Sequence, residues 1–594
     1  MATYKAPLRE YKFILHEVLG VEDISTLPGY EDATPEIFDA VLEEAGKFCE
    51  EVLFPLNRSG DEEGCSFENG VVRTPKGFKE AYDSFCAGGW SALGADPAYG
   101  GQGLPHALSL LVEEMICSTN MAFGMYPGLT AGAYNAIYQH GSDALKDKYL
   151  PNMVTGKWSG TMNLTEPHCG TDLGLIRTKA EPEADGTYRI TGTKIFISAG
   201  EHDLTDNIIH LVLAKLPDAP PGVRGISLFV VPKFLVDDDS GVKTRNALAC
   251  GSIEHKMGIK ASSTCVMNFD GATGWLCGEP HKGLKAMFTM MNTARLGVGI
   301  QGLGLAETAY QSGALYAAER LQGRALKGAQ YPDRPADPLL VHPDVRRMLL
   351  TIRSYVEGGR ALAAWIGKEI DIAHKHPDEE TREAADDLVQ LMTPIVKAFL
   401  TDIGYESATL GQQVYGGHGY IREHGMEQLV RDARITQIYE GTNGIQALDL
   451  VGRKLSTGMG RYLRRFFHPV GEYLTAAAAK PELKDIAGPV LKTFGQLQQV
   501  TALIGQKGMA NPDEAGAAAT DYLRMFALTA LGYLWTRMAE VSLAKLESDD
   551  KAYYQAKLAT ARFFVARLLP HASAHALAIQ AGAKPIMEMA EAAF

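Results

Sequence analysis

The chain has 594 residues, too many for one compact core, so two to four domains are expected. Hydrophobic residues make up 46% and charged residues 22%, the ordinary balance of a globular protein. A formal net charge of −14 argues against nucleic acid as the main partner, because binding a phosphate backbone needs surplus Lys and Arg; small anionic ligands stay open.

The N-terminus, MATYKAPLREYKFILHEVLG, mixes charges into its apolar residues and has no uninterrupted signal-peptide core. No stretch reaches the ~18 apolar residues of a spanning helix. The eight cysteines, Cys49, Cys65, Cys86, Cys117, Cys169, Cys250, Cys265 and Cys277, are scattered without a C-x-x-C pair, a reduced, intracellular pattern. A cytoplasmic protein without a membrane span is expected.

Residues 1–160 read mainly as helices. ATPEIFDAVLEEAGKFCEEVL offers Thr34 as N-cap and Pro35 at the first helical position. DPAYGGQGLPHALSLLVEEMIC breaks at a glycine-rich turn and resumes helical spacing. Over 161–285 the character changes. GTYRITGTKIFISAG, NIIHLVLAKL, RGISLFVVPKF and TCVMNFDGATGWLCGE predict short strands of a small, mainly antiparallel β domain. Helix returns over 286–458, with the proline-rich GRALKGAQYPDRPADPLLVHPD as a loop between helices, and an Ala- and Leu-rich helical block fills 459–594. The fold class is α+β, mainly α.

Candidate sites follow the same order. NLTEPHCGTDLG, 163–174, is polar and turn-rich at the entry to the β domain, and reads equally as a binding loop or an ordinary one. GVGIQG, Gly297 to Gly302, satisfies G-x-G-x-x-G, but helical pattern on both sides makes it a helix-packing stretch rather than a dinucleotide loop. The sixteen histidines form no H-E-x-x-H and no zinc-spaced cluster, so no metal is expected. His374 and His376 read as a solvated helix end, and His418 in YGGHGY as functional or structural alike. VYGGHGY, 414–420, lets backbone approach an anionic ligand closely. Glu440, in RITQIYEGTNGIQALDL, could be a helix cap or a catalytic base, and its spacing alone does not decide.

Together NLTEPHCGTDLG, TGTKIFISAG, YAAERLQGR, QQVYGGHGY and RDARITQIYEGTNGIQ, in this order, resemble the acyl-CoA dehydrogenases along the whole chain. The resemblance implies the acyl-CoA dehydrogenase fold: an N-terminal helical domain, a middle β domain and a four-helix-type C-terminal domain, here with an extra helical domain. It implies FAD as cofactor, an acyl-CoA substrate and Glu440 as the base that removes its α-proton. The backbone N–H of Glu440 and a flavin ribityl hydroxyl would then polarise the thioester carbonyl. By motif position, Met162, Leu164 and Thr165 should meet the flavin ring, Phe196 and Ser198 should flank it, and Thr442 should touch FAD. Thr171, Arg295 and Gly441 fall to the substrate. Arg320, Gln413 and Gly417 should reach the FAD of a neighbouring subunit, which implies a homodimer.

Three departures stand out. RLQG lacks the aromatic residue common after Arg320, Asn292 replaces an acidic residue common three positions before Arg295, and Phe196 stands where many relatives have Trp. The opening residues and the C-terminal extension resemble a large bacterial subgroup that includes 3-(methylsulfanyl)propanoyl-CoA dehydrogenases of dimethylsulfoniopropionate demethylation. That implies oxidation of 3-(methylsulfanyl)propanoyl-CoA to the 3-(methylsulfanyl)acryloyl thioester, with an electron-transferring flavoprotein as acceptor. The alternatives are a general short- or medium-chain acyl-CoA dehydrogenase, an acyl-CoA oxidase, and a DNA-associated non-catalytic relative. The near-balanced charge of the last block speaks against the last of these.

Overall fold

The strand Asn207–Lys215, NIIHLVLAK, is buried at every position but its last, and that explains why its sequence is continuously apolar rather than alternating. Ile209, Leu211 and Leu213 enter one core, shared with Ala133, Ile137, Met153, Met287 and Met290. Val212 and Ala214 enter another, with Ile190, Ile197, Phe229, Cys265 and Met267. A strand flanked by two cores has no solvent face to make polar. The computed structural model in which this is seen describes residues 2–236 and 243–594.

The chain divides into two compact units, each assembled from separated segments. One holds Phe48–Leu104 and Thr119–Gly297. Among the described residues it contains a seven-stranded sheet. Thr264–Leu276 pairs with Leu248–Ile253 and Tyr188–Ser198, and Lys179–Pro182 links Tyr188–Ser198 to Asn207–Lys215. Ile226–Pro232 then pairs with both Asn207–Lys215 and the end of Thr264–Leu276, so the path closes on itself. The four strands read from the sequence are present. A further strand, Trp158–Asn163, starts inside the segment read as helical and runs parallel to Asn207–Lys215. Its WSGTMN is short and poor in β-branched residues, so pairing with a buried neighbour, rather than propensity, makes it a strand.

The other unit holds Met1–Lys47, Pro105–Ser118 and Val298–Phe594. Its helices Pro343–Lys375 and Glu379–Val414 pack together over much of their length. The GVGIQG stretch belongs to the helix Gly283–Glu319. A Cβ at Gly302 would lie 2.5 Å from Leu400 O, and one at Gly404 would lie 2.5 Å from Gly302 O. Glycine is there for close helix crossing. Helices of the last block, Lys484–Ala510 and Pro512–Ala544, pack on each other, and Trp535 reaches back to donate to Ser354 O at 3.2 Å. Gly358 leaves it room, since a Cβ there would sit 2.8 Å from the indole nitrogen. All eight cysteines are free. No described helix is long and apolar enough to cross a membrane.

Candidate active site

Glu440 lies in the loop between the helices Met426–Thr436 and Asn443–Asp449. The cap of the second helix is Thr442, whose side chain accepts from Ile445 N at 3.4 Å. Glu440 is therefore not needed as that cap. It is half-buried and its φ of 56° is left-handed, a conformation that costs a non-glycine residue energy and persists only where surroundings enforce it.

The enforcement is visible. Asn443 N donates to Gln437 O at 3.1 Å and closes the loop at its base. Gln446 Nε2 donates to the carbonyls of Glu440 and Gly441 at 3.1 and 3.3 Å. Lys397, fully buried in the helix Glu379–Val414, donates to Gly441 O at 2.9 Å and Asn443 Oδ1 at 2.8 Å. Tyr439 donates to Gln301 Oε1 at 2.5 Å, and burial pushes its phenol well above its usual range. Gly441 has φ 80°, and a Cβ there would meet the Gln446 amide at 2.6 Å. The "EG" pair is thus a backbone requirement as well as a chemical one.

Five candidates in the other unit, Met162, Leu164, Thr165, Phe196 and Ser198, lie at or just past the ends of the strands Trp158–Asn163 and Tyr188–Ser198. Met162 is next to last in the strand Trp158–Asn163, and Leu164 and Thr165 follow the strand. Ile195 N donates to Thr165 O at 2.9 Å, and Lys194 Nζ donates to Leu164 O at 3.0 Å. These bonds set 164–165 beside 194–196. Lys194 and Glu166 form a buried ion pair at 2.9 Å, and Glu166 also accepts from Arg177 N, Thr178 N and the Thr178 hydroxyl. Burial pushes the Glu166 carboxyl up, but Lys194 and Thr178 outweigh it and hold it below the usual range.

Phe196, on the same strand, has a left-handed φ of 59° and leaves its side chain 59% exposed. A large apolar ring held in the open by strained backbone, beside half-buried Met162, Thr165 and Ser198, fits a planar aromatic cofactor stacked on it. These residues suit a flavin ring. Thr171 is exposed on the loop that Asp172 turns by accepting from Gly174 N at 3.0 Å. Arg295 is buried beside Phe288, and its Nη1 donates to Asn292 Oδ1 at 3.4 Å. Asn292 therefore offers Arg295 an oxygen but no charge.

Arg320, Gln413 and Gly417 are exposed. Arg320 follows the helix Gly283–Glu319, Gln413 is next to last in Glu379–Val414, and Gly417 follows in a 3-10 turn. Tyr316 stacks on Tyr415 with ring centroids 4.0 Å apart, and its hydroxyl meets His418 Nδ1 at 2.8 Å. That stack ties the two helix ends together. His418 has this structural bond, and nothing lies within 4 Å of where a Cβ on Gly417 would be. The result is an open ledge with exposed backbone and the Arg320 guanidinium at the helix end beside it.

Sequence reasoning missed the supporting residues Glu166, Lys194, Tyr316 and Lys397. Glu166 and Lys194 sit inside the quoted motifs, so an opposite-charge pair was the available signal; Lys397, outside them, had none. Among the described residues Glu166, His168 and Cys169 could converge on a metal ion, but the Glu166 oxygens are already taken by the bonds above.

Family models match along the chain: acyl-CoA dehydrogenase, N-terminal domain over 36–157, middle domain over 161–272 and C-terminal domain over 281–455, then "acetyl-CoA dehydrogenase C-terminal like" over 466–590. A 3-methylmercaptopropionyl-CoA dehydrogenase of Ruegeria pomeroyi is 45% identical, the match covering 96% of this chain and 97% of that one. A butyryl-CoA dehydrogenase of Syntrophomonas wolfei is 34% identical over 100% of this chain and 99% of its own. Among solved structures, Caenorhabditis elegans ACDH-11 in complex with C11-CoA superposes with a TM-score of 0.77 at 18% identity, covering 95% and 91% of the two chains.

Proposed function

The chain belongs to the acyl-CoA dehydrogenase family, and on that premise we propose that it oxidises 3-(methylsulfanyl)propanoyl-CoA to the 3-(methylsulfanyl)acryloyl thioester, with Glu440 as base. Members of the family are FAD-dependent oxidoreductases, and bound FAD supplies the hydride acceptor for the β-carbon. The chain's own residues do the rest. The Glu440 carboxylate takes the α-proton, and the α C–H electrons form the new double bond as the β-hydride departs. The Glu440 backbone N–H stabilises charge developing on the thioester oxygen. Burial beside an acyl chain that expels water raises the basicity of a carboxylate, which in water is a weak base with a pKa of ~4.3.

The observation that carries the assignment of the base is the strained, clamped backbone at Glu440, with the capping role already filled by Thr442. The thioether substrate is supported by likeness to the Ruegeria relative over nearly the whole chain. The Syntrophomonas relative supports a second reading, a straight short acyl chain. Met162, Leu164, Thr165, Phe196, Ser198 and Thr442 are assigned to FAD, and Thr171, Arg295 and Gly441 to the thioester. Arg320, Gln413 and Gly417 are assigned to the FAD of a second subunit in a cytoplasmic homodimer, with an electron-transferring flavoprotein as acceptor.

Anaerobic titration of the FAD-loaded protein tests the reading. With 3-(methylsulfanyl)propanoyl-CoA the wild-type flavin band should bleach, and Glu440→Gln should slow bleaching by at least about 10²–10⁴-fold. Equal rates in wild type and variant would remove Glu440 from the role. Bleaching by butanoyl-CoA alone would replace the thioether substrate with the straight chain.

A further inference from the structure

The base loop is held by a residue from outside the motifs. On the helix Glu379–Val414, Lys397, Ala398, Thr401 and Asp402 share one face, because positions four apart stack along a helix. That face meets Asn443: Nδ2 donates to Ala398 O at 3.1 Å, Thr401 Oγ1 at 2.9 Å and Asp402 Oδ1 at 2.7 Å. The same Asp402 oxygen accepts from Gln437 Nε2 at 2.8 Å. Gln437 and Asn443 are the two ends of the loop with Glu440 at its middle, so one carboxylate oxygen gathers both ends. The other oxygen, Oδ2, faces Arg524, with Nη2 at 3.0 Å and Nε at 3.3 Å. Arg524 lies on Pro512–Ala544, in the extra helical block after residue 459.

We infer that Asp402 and Arg524 are positioning residues for the base, and that the added C-terminal block holds the 437–443 loop through this two-donor contact on Asp402 Oδ2. The inference rests on the reading of Glu440 as the base. The Arg524 side chain is 45% exposed and Asp402 only 15%, so the bridge would add little as a surface ion pair. Its effect is geometric: two guanidinium donors hold Oδ2 while the two loop-end amides hold Oδ1, so the carboxylate is anchored at both oxygens and keeps its direction toward the loop. A proton-abstracting group gains rate from being held in place, and small misplacements cost it heavily.

Two readouts test this in the full-length, FAD-loaded protein: amide hydrogen exchange of 437–443, and the limiting rate of anaerobic flavin reduction by 3-(methylsulfanyl)propanoyl-CoA against its apparent affinity. Arg524→Ala should raise exchange in 437–443 and lower the limiting rate roughly 10- to 100-fold with affinity little changed. Arg524→Lys keeps the charge without the fork, and should fall between. Wild-type exchange and rate in Arg524→Ala overturn the inference. So does increased exchange spread through the whole chain in both variants, which is a general stability effect. If Glu440→Gln reduces the flavin at the wild-type rate, the base assignment falls, and exchange of 437–443 alone then decides the clamp.

Discussion

Glu440 and Phe196 are two of seven non-glycine residues with left-handed φ among the described residues. Each costs of order 1–3 kcal/mol that surrounding contacts must repay. At Glu440 the repayment comes from Lys397 and Gln446, which donate to the carbonyls of Gly441 and Glu440, and from Asn443, whose N–H donates back to Gln437 O. Gly441 is the residue on which this arrangement depends. Gly441→Ala would place a methyl 2.6 Å from the Gln446 amide and force an alanine to φ 80°. The variant should keep its flavin and lose about tenfold or more in limiting reduction rate, since the loop must shift to admit the Cβ. Stopped-flow reduction beside the bound-flavin spectrum separates the two effects.

At the scale of elements, the closed sheet holds two buried imidazoles. His202 bonds to Ser159 Oγ at 2.9 Å and His210 to Thr161 Oγ1 at 2.7 Å. Burial, aided by the Lys233 charge, pushes both down from 6.5 to about 3. Unfolding returns them to the ordinary value, so the unfolded chain binds more protons between pH 6.5 and 3. Stability contributed by the neutral folded rings is complete above about pH 6.5. It falls with pH through that window by up to about 1.4 kcal/mol per unit for each ring. Chemical denaturation at pH 4.5, 5.5 and 7 should show this slope. His210→Gln should remove about half of it, and an unchanged slope would mean the ring is already charged when folded. Tyr188–Ser198 and Thr264–Leu276 announce themselves by β-branched and aromatic residues, whereas Trp158–Asn163 is a strand through its parallel pairing to Asn207–Lys215.

At the scale of the whole molecule, the ends of the chain are joined. Lys557, fully buried on Lys551–Phe563, pairs with Glu10 and with Glu357 at 2.8 Å. Tyr553 donates to Glu10 at 2.6 Å, and Arg9 lies 4.2 Å over the Tyr553 ring. The opening residues and the last block therefore stand or fall together within their unit. Lys557→Met leaves two buried carboxylates without their shared cation and should cost about 3–5 kcal/mol. A lower thermal midpoint should result, and adding Glu10→Gln should recover part of the loss. No recovery would mean that packing of the lysine stem, not charge, carries the effect.

The sequence by itself determined the kinds of element, their order and the motifs. Helical spacing, strand composition and the stretch around Glu440 are local properties, written within a few residues of each other. It also supplied the acyl-CoA dehydrogenase resemblance, because five short motifs in order carry more information than any one alone. What it left open at Glu440 was cap or base, since a carboxylate before a helix serves either. Tertiary structure gave the cap to Thr442 and the left-handed turn to Glu440. It also decided which residues enforce that turn. Asp402 lies 41 residues from Asn443, and Arg524 lies 122 residues from Asp402. No local pattern encodes such distances. They exist only once helices from separated parts of the chain pack and bring a carboxylate, an amide pair and a guanidinium to one point.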